Sequence, residues 1–334
     1  MNSTVKPHYR VTAGRQALPP QILSGGCALY QFGSRNNPGS MEIFAVFPGI
    51  ELIYSDFSME HCDCGLAVDG NLLEITYCLE GREECQLLCG DYLYLGKGDL
   101  YIARMENNLS ELCFPTGRYR GITILLDLDI LLECPPPLLE PEIVRSEQFG
   151  ERFCPGQRFF AVRPDRQISH IFEELCENYQ AFRPDYYKIK VLELLLCLSM
   201  IDPEHERRLE PVSKNQIKVV KQAQRRLTRN FQERVTIEQL AKEFCISPTS
   251  LKRNFKLVYN TTIKNYVRRE RMALAASLLN ESGQTIAEIA RSLGYANQSK
   301  FASAFQSVYG LTPLKYRRKC ANEHRNSQVP GQVL

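Results

Sequence analysis

The last third of the chain contains one helical pattern written twice. The first copy is "TIEQLAKEFCISPTSLKRNF" (236–255) and the second is "TIAEIARSLGYANQSKFASAF" (285–305). In the first half of each copy, apolar residues recur at i, i+3, i+4 and i+7, which predicts an amphipathic helix. Capping boxes begin both helices, Thr236 with Gln239 and Thr285 with Glu288. We therefore expect an all-helical unit built from two matched halves.

A second helix follows a three-to-four-residue turn in each copy. Ser247 with Pro248 and, in the other copy, Asn297 supply the start signals. Two short helices joined in this way are typical of the helix-turn-helix motif, which lays its second helix in the major groove. The pattern predicts a buried face on each second helix, formed by Leu251, Phe255 and Val258 or by Phe301, Phe305 and Val308.

Charge is divided unevenly along the chain. Residues 214–325 hold 22 Lys/Arg and 7 Asp/Glu, a net charge of +15, which leaves 19 basic and 31 acidic residues in the remainder. A basic module joined to an acidic one indicates a polyanion among its ligands. A merely solvated basic face would account for solubility but not for this segregation.

The segment between the copies, "TIKNYVRRERMALAASLLNESG" (262–283), predicts one continuous helix, because a threonine begins it and a glycine ends it. About 18 residues at 1.5 Å each span about 27 Å, comparable with the ~34 Å between successive major-groove segments on one side of B-DNA. We expect this connector to hold both second helices against one face of a duplex.

The segment from about Gln216 to Arg318 resembles the DNA-binding domain of the AraC/XylS family of bacterial transcriptional regulators. The resemblance lies in "YVRRERMALAASLL" of the connector, "IAEIARSLGYANQSKFASAF" of the second copy and the closing "YGLTPLKYRR". The closing stretch is the most distinctive of the family and is intact here. The resemblance covers nearly a third of the chain and implies a domain that binds promoter DNA.

The family geometry implies which residues contact DNA. Arg253 is the best candidate for paired hydrogen bonds to guanine O6 and N7. Ser303 stands where many family members carry arginine, which implies that the second motif contributes more positioning than sequence discrimination. Lys256 and Arg317 either contact phosphates or are solvated charges. The predicted DNA-contacting residues are Thr249, Ser250, Lys252, Arg253, Lys256, Gln298, Ser299, Lys300, Ser303 and Arg317.

The first 130 residues or so are rich in short apolar or alternating stretches, such as "MEIFAVF" (41–47) and "LLEITYCLEG" (72–81), with Gly, Asn and Pro between them. This pattern is typical of a small barrel or sandwich. A β-rich half before the basic segment resembles the common family layout. The predicted fold class is α+β: an N-terminal cupin-like β-barrel or sandwich with helices, then an all-α domain with two helix-turn-helix motifs joined by a long helix.

Composition and periodicity also predict the domain boundaries. An effector-binding and dimerisation domain occupies residues 1–201, β-rich over 20–130 and helical over 165–201. The apolar face of its last helix either packs on the barrel or joins two copies, and we expect a homodimer. Residues 202–214 are charged, contain two prolines and predict a linker. The DNA-binding domain follows over 215–319, and 320–334 is a disordered tail.

Two enzymatic alternatives compete with a regulator. A metal-dependent cupin enzyme needs clustered imidazole and carboxylate ligands, but the 5 histidines are scattered and none lies in residues 74–100. A DNA-repair methyltransferase fused to this DNA-binding fold needs a four-cysteine zinc group and a reactive thiol, whereas the 13 cysteines are dispersed. We therefore predict no enzyme, no catalytic residue, no metal and no cofactor. Whether any cysteine is redox- or metal-active stays open.

The sequence as a whole predicts a ligand-responsive, sequence-specific transcriptional regulator. Its expected partners are double-stranded promoter DNA, a small-molecule effector, a second copy of the chain and RNA polymerase. No apolar run reaches the roughly 18 to 20 residues of a spanning helix, and the first residues lack a signal-peptide core, so we expect a cytoplasmic protein without membrane contact. The effector, its binding residues, the operator and the sign of regulation stay open.

Overall fold

The computed structural model falls into two compact units, residues 1–213 and 214–334. The first unit combines a curled antiparallel sheet with helices and the second is helical, so the predicted α+β class is confirmed. The residues that the structure describes are 9–11, 20–23, 27–34, 37–64, 66–68, 70–87, 89–105, 108–109, 111–137, 146–157, 159–177, 184–233 and 235–327.

The strands of the first unit lie between residues 9 and 162. They are β1 (Tyr9–Val11), β2 (Gln21–Ile22), β3 (Cys27–Ser34), β4 (Asn37–Phe47), β5 (Ile50–Phe57), β6 (His61–Cys62), β7 (Leu66–Val68), β8 (Leu72–Gln86), β9 (Tyr92–Gly96), β10 (Leu100–Arg104), β11 (Asn108–Leu109), β12 (Leu112–Cys113), β13 (Tyr119–Asp127) and β14 (Phe160–Val162).

Most of these strands form one eleven-stranded antiparallel sheet. Its main path runs β14-β10-β8-β13-β5-β4-β3-β2, while β9 and β12 pair with β8, and β6 pairs with β12. Strands β1, β7 and β11 form a separate three-stranded sheet. Strands β3, β4 and β5 follow one another in the chain and pair as hairpins. Their register is continuous apart from a bulge near Ala45.

Strand β8 bends at Gly81 and pairs with different strands before and after the bend. Residues before the bend pair with β10 and β13, and Arg82–Gln86 pair with β9. Gly81 has a φ of +81°, and a Cβ at this position would lie 1.8 Å from the backbone oxygen of Arg118. Only glycine fits this backbone without strain. The bend therefore lets one strand pair with β10 and β13 before Gly81 and with β9 after it.

The sheet has an apolar core on each of its faces. On the outer face, Tyr77 stacks on Phe172 with 4.6 Å between ring centroids, and helices cover Ile75 and Ile124. On the inner face, a second cluster includes Phe57, Phe114 and Leu125. Side-chain alternation along each strand separates the two cores.

Four α-helices and one 3-10 turn of the first unit are described. They are α1 (Leu128–Glu133), α2 (Ser146–Phe153), a 3-10 turn (Pro155–Gln157), α3 (Arg166–Glu177) and α4 (Pro184–Met200). Helices α3 and α4 pack on each other and on the outer sheet face. Lys190 of α4 donates to Glu174 of α3 at 2.5 Å and to Glu193 at 2.8 Å.

The predicted linker lies against the first unit. Leu209 donates its backbone N–H to Ala161 at 2.7 Å, and Val212 exchanges two backbone hydrogen bonds with Tyr92 at 2.8 and 2.9 Å. Residues 208–212 thus extend the sheet at two points, beside β14 and β9. The sequence did not indicate these contacts, because sheet pairing with distant strands leaves no local pattern in so short and polar a stretch.

The second unit consists of helices. They are α5 (Lys214–Arg229), α6 (Ile237–Glu243), α7 (Pro248–Tyr259), α8 (Ile263–Glu281), α9 (Ile286–Ser292), α10 (Gln298–Tyr309) and α11 (Pro313–Ser327). The expected disordered tail began at residue 320, whereas α11 continues to Ser327. Proline and glycine, which would end a helix, do not occur between residues 314 and 329. The rest of the expected tail, 328–334, lies outside the described residues.

The hydropathy of the helices bears on membrane contact. Within the described ranges, none of the helices is both long and apolar enough to cross a bilayer.

Candidate nucleic-acid interface

Local capping builds the first motif, residues 236–259. The Thr236 hydroxyl accepts the backbone N–H of Gln239 at 3.1 Å, and the Gln239 side chain accepts the N–H of Thr236 at 2.8 Å. Helix α6 ends at a tight turn in which Cys245 has a φ of 52°. Ser247 then caps α7 by accepting the N–H of Ser250 at 3.1 Å, with Pro248 at the first helical position.

The second motif, residues 285–309, repeats these contacts. Thr285 and Glu288 form the capping box, at 3.2 Å for the hydroxyl and 2.7 Å for the carboxylate. Hydrogen bonds from Thr285 hold the pKa of Glu288 below its usual value. Gly294, with a φ of 76°, occupies the turn, and Asn297 caps α10 by accepting the N–H of Lys300 at 2.8 Å.

The two motifs differ by one residue in the turn. Ile246 and Tyr295 occupy matching positions, since each donates its N–H to an alanine carbonyl of the preceding helix. The cap follows at once as Ser247 in the first motif, but after Ala296 in the second. Spacing between matched residues therefore rises from 49 before the turn to 50 after it.

Matching aromatic triads anchor the second helices. Phe255, Tyr259 and Tyr266 lie with ring centroids 4.7 to 5.3 Å apart. Phe305, Tyr309 and Tyr316 form the same arrangement at 4.7 to 5.3 Å. The structural repeat thus includes the first turn of α8 and of α11, where Tyr266 and Tyr316 reside.

Helix α8 connects the motifs as one rod of 19 residues. At 1.5 Å per residue it is about 28 Å long, so the expectation of one continuous connector holds. Met272 and Leu279 of α8 are buried in the core of the second motif. Arg271 lies over the rings of Phe231 and Tyr295, at 5.5 and 5.6 Å from their centroids. These contacts fix the connector to the second motif.

Most of the predicted DNA-contacting residues lie on exposed helix faces. In α7 the exposed ones are Thr249, Lys252, Arg253 and Lys256. In α10 they are Gln298, Ser299, Lys300 and Ser303. Ser250 is half-buried, because its hydroxyl lies 3.0 Å from that of Ser247 within the helix cap.

Charge differs sharply between the two exposed faces. With the one-residue offset of the turn, Lys252, Arg253 and Lys256 of α7 match the uncharged Ala302, Ser303 and Gln306 of α10. Lys300 is the cation on the exposed face of α10, where it matches Ser250. Since cations at these positions supply both base and phosphate contacts, the two faces are chemically unequal although the backbones match.

Arg317 belongs to α11, not to either exposed face, and forms hydrogen bonds at the end of α8. Its Nε donates to the Leu279 carbonyl at 3.2 Å and its Nη2 to the Gln284 carbonyl at 2.7 Å. The side chain is half-buried and satisfies carbonyl groups at the end of α8. This contact between α11 and the connector was not indicated by the sequence.

One predicted core residue was placed wrongly. Val308 is 44 % exposed, whereas Phe301 and Phe305 are fully buried. Val308 stands next to the last residue of α10. In the first motif the matching Val258 is buried as expected.

A family model described as a helix-turn-helix domain matches residues 240–319. The second unit is an AraC/XylS-type helix-turn-helix domain. The match begins within α6 and ends in α11, so it covers the connector, the second motif and the first motif from Leu240 onward.

Curated relatives match over a similar length. The chain is 35 % identical over 96 residues to the uncharacterized HTH-type transcriptional regulator YdiP of Escherichia coli, which is 29 % of this chain and 32 % of that protein. It is 32 % identical over 92 residues to the bifunctional transcriptional activator/DNA repair enzyme AdaA of Bacillus subtilis, which is 28 % of this chain and 44 % of that protein. The chain spans about a third of the length of the first curated relatives that it matches.

Among solved structures, the chain is similar to the C-terminal domain of AraT, a response regulator from Geobacillus stearothermophilus. Identity is 27 %, the TM-score is 0.29, and the match covers 35 % of this chain and 90 % of that one.

Proposed function

We propose that the chain is a sequence-specific DNA-binding transcriptional regulator. The observation that supports this most is the pair of matched second helices, α7 and α10, which expose polar faces from one AraC/XylS-type domain. The domain carries a charge of +15, which favours a polyanion. The curated relatives named above are described as transcriptional regulators or activators. The predicted DNA-contacting residues belong to this proposal.

The dimensions of the connector support binding of two neighbouring grooves. A rod of about 28 Å is comparable with the ~34 Å between successive major-groove segments. Under this proposal each subunit contacts two segments about 10 bp apart. Helix α7 supplies most of the base discrimination. Helix α10 mainly positions the protein, because it lacks the three cations that α7 carries at the matching positions.

The test is selection by the full-length protein from a random library of 30-bp duplexes, followed by sequencing. Enrichment of two conserved blocks one helical turn apart is expected, with the better conserved block assigned to α7 by the Arg253→Ala variant. Affinity should fall steeply as salt rises. Failure to enrich any sequence, or affinity that ignores salt, would overturn the proposal.

We further propose that two copies associate through α4. The exposed fractions of Ile189, Leu196 and Met200 are 62, 40 and 72 %. Leu196 and Met200 follow Ile189 by seven and eleven residues, so all three lie on one helix face. A second copy of the same helix, related by a two-fold axis, would cover this stripe with an identical one. The proposal also places the protein in the cytoplasm, where it contacts RNA polymerase at its promoter.

We propose that the regulator is not an enzyme, and three buried cysteines lack the reactivity that methyl transfer to a thiol would need. Burial raises the pKa of the Cys62, Cys78 and Cys154 thiols to about 12. A thiol held in this way carries almost no thiolate, which is the nucleophilic form. All 13 cysteines are free thiols. Incubation with a methylated DNA duplex, followed by mass spectrometry, should show no methyl transfer to the protein.

A further inference from the structure

An unusual group of side chains meets on the inner face of the sheet in the first unit. We call Glu74, Glu83, Cys85 and Tyr101 the interior polar cluster. Glu74 lies opposite Ala103 and Leu125, on the inner side of β8, and Tyr101 lies opposite Ala161 of β14. Glu83 and Cys85 come after the bend at Gly81 and lie opposite Leu95 and Leu93. The bend therefore brings both halves of β8 to one interior.

The interior polar cluster is enclosed but not tightly filled. Protein surrounds Glu74, Glu83, Cys85 and Tyr101 on nearly all sides. Each side chain nevertheless keeps some accessible surface, in contrast to the wholly buried Leu95 and Phe114 beside them. Their accessible surface leaves each of them open to contact by a small molecule. Small neighbours, Ala103 and Ala161, leave room next to Glu74 and Tyr101.

Two polar groups in this interior lack partners within the part of the chain that the structure describes. The Glu74 carboxyl accepts no hydrogen bond from a described residue, and the Tyr101 hydroxyl makes none. Tyr119 is near enough to Glu83 to lower the pKa of that carboxyl. Neither the Glu74 carboxyl nor the Tyr101 hydroxyl is among the described unpaired polar atoms that are cut off from solvent, so a small molecule can reach both. Glu74 and Tyr101 are therefore positioned for a partner from outside the chain.

The electrostatics indicate the charge of that partner. Burial and the nearby Glu83 carboxylate raise the pKa of Glu74 to about 8, and burial raises the pKa of Glu83 to about 6 despite the nearby Tyr119. Arg104 of β10 is a cation one residue past the position opposite Glu74, but its hydrogen bonds go to Asn71 at 2.9 Å and to Glu151 at 3.1 Å. A bound cation would relieve both carboxyl groups.

An aromatic surface adjoins the carboxyl groups. The ring of Tyr101 stacks on that of Phe159, with 6.1 Å between centroids. Aromatic faces attract organic cations, which are weakly hydrated in comparison with metal ions. Among the described residues, no group of three or more His, Cys, Asp or Glu side chains is arranged to hold a metal ion. The site therefore fits an organic cation better than a metal ion.

We propose that the interior polar cluster binds a small organic cation with a protonated amine, recognised by Glu74 and Glu83 and by the Tyr101 ring. This inference rests on the proposed function, because it gives the chemical class of the effector of the regulator. An amine would donate hydrogen bonds to the Glu74 carboxylate, which then ionises, and to Glu83.

Three four-carbon probes that differ in charge test the proposal by calorimetry with the full-length protein. 1,4-Diaminobutane is expected to bind, while 1,4-butanediol and succinate, of similar length, are expected not to bind. Agmatine and 1,6-diaminohexane extend the amine series. Binding of none of the three amines, or equal binding of the diol, overturns the proposal.

Variants identify the site. Glu74→Gln and Glu83→Gln are each expected to weaken amine binding at least tenfold. Glu133→Gln, at an exposed carboxyl near the end of α1, is the matched control and should bind like the unaltered protein. Circular dichroism checks folding. If Glu74→Gln fails to fold, Glu83→Gln decides in its place. Amine binding that survives in every folded cluster variant places the amine elsewhere and overturns the assignment.

DNA affinity measured on the same samples separates the two proposals. Loss of amine binding with intact salt-dependent DNA binding overturns this inference alone. Absence of DNA binding, whatever the amine does, overturns the proposed regulator.

Discussion

The backbone oxygen of Phe231 lies 2.3 Å from the position that a Cβ on Gly294 would occupy. The turn of the second motif thus touches the chain that follows α5, and its φ of 76° also favours glycine. Gly294→Ala is expected to cost about 3 kcal/mol or more, because strain and a backbone clash add together. Urea unfolding followed by circular dichroism measures this loss.

Gly310 provides the control for this substitution. It also has a positive φ, of 72°, but nothing lies within 4 Å of the position of its Cβ. Gly310→Ala should therefore cost only the left-handed strain, about 1–2 kcal/mol. Equal losses in the two variants would show that the Phe231 contact contributes nothing.

Arg253 and Ser303 occupy matched positions in α7 and α10, yet only the arginine can form paired hydrogen bonds to guanine. On a duplex obtained by selection, Arg253→Ala should weaken binding by about 1–3 kcal/mol and relax the preference at one base pair. Ser303→Ala should change binding by less than about 0.5 kcal/mol. Fluorescence anisotropy with single-base variants of the duplex gives both quantities. Similar losses from the two substitutions would contradict the proposed inequality of the motifs.

Much of the AraC/XylS-type domain could be predicted because its signals are local. Capping boxes, helix starts at Ser247 and Asn297, and apolar periodicity all act within one or two turns of the residue that carries them. The interior polar cluster could not be predicted in this way. By sequence alone, Arg82, Glu84, Tyr94 and Arg104 could equally face inward, whereas in the structure the Tyr94 hydroxyl donates to Glu84 at 2.6 Å. The bend at Gly81 decides which carboxyl groups face inward. The bend depends on the close approach of the backbone of Arg118, the residue before β13.

Arg317 was predicted as a DNA contact, and its hydrogen bonds to the end of α8 give it a structural role that can be measured separately. Arg317→Ala leaves the Leu279 and Gln284 carbonyl groups without this donor, so unfolding should become easier by about 1–3 kcal/mol. Arg318→Ala removes the same charge from an exposed neighbour and should change stability by less than about 0.5 kcal/mol. Urea unfolding compares the two. Unchanged stability in Arg317→Ala would contradict the structural role of these hydrogen bonds.

The pKa of Glu74 makes the stability of the first unit depend on pH. Its folded-state pKa, about 8, lies above the ordinary value of 4.5, so between these values the folded state holds a proton that the unfolded chain releases. Stability from this group is therefore complete below pH 4.5 and is lost as pH rises through about 8, by on the order of a few kcal/mol. Glu74→Gln, which does not titrate, should flatten this decline. Denaturant midpoints at pH 5, 6.5 and 8 test this, and an identical slope in the variant would contradict the enclosed position of Glu74.

The stripe on α4 predicts the oligomeric state of the protein. A charge placed at Ile189 would have to be buried between two helices in the dimer, where it has no partner. Ile189→Glu should therefore convert dimers to monomers in light scattering coupled to size-exclusion chromatography. Leu132→Glu places the same charge on α1 at a residue that is 53 % exposed, and it should leave the dimer intact. Because both side chains already face solvent within one chain, neither substitution should unfold the protein, so a monomer at Ile189→Glu with native circular dichroism reports the interface itself. Dimers that persist in this variant would place the contact between copies on another surface.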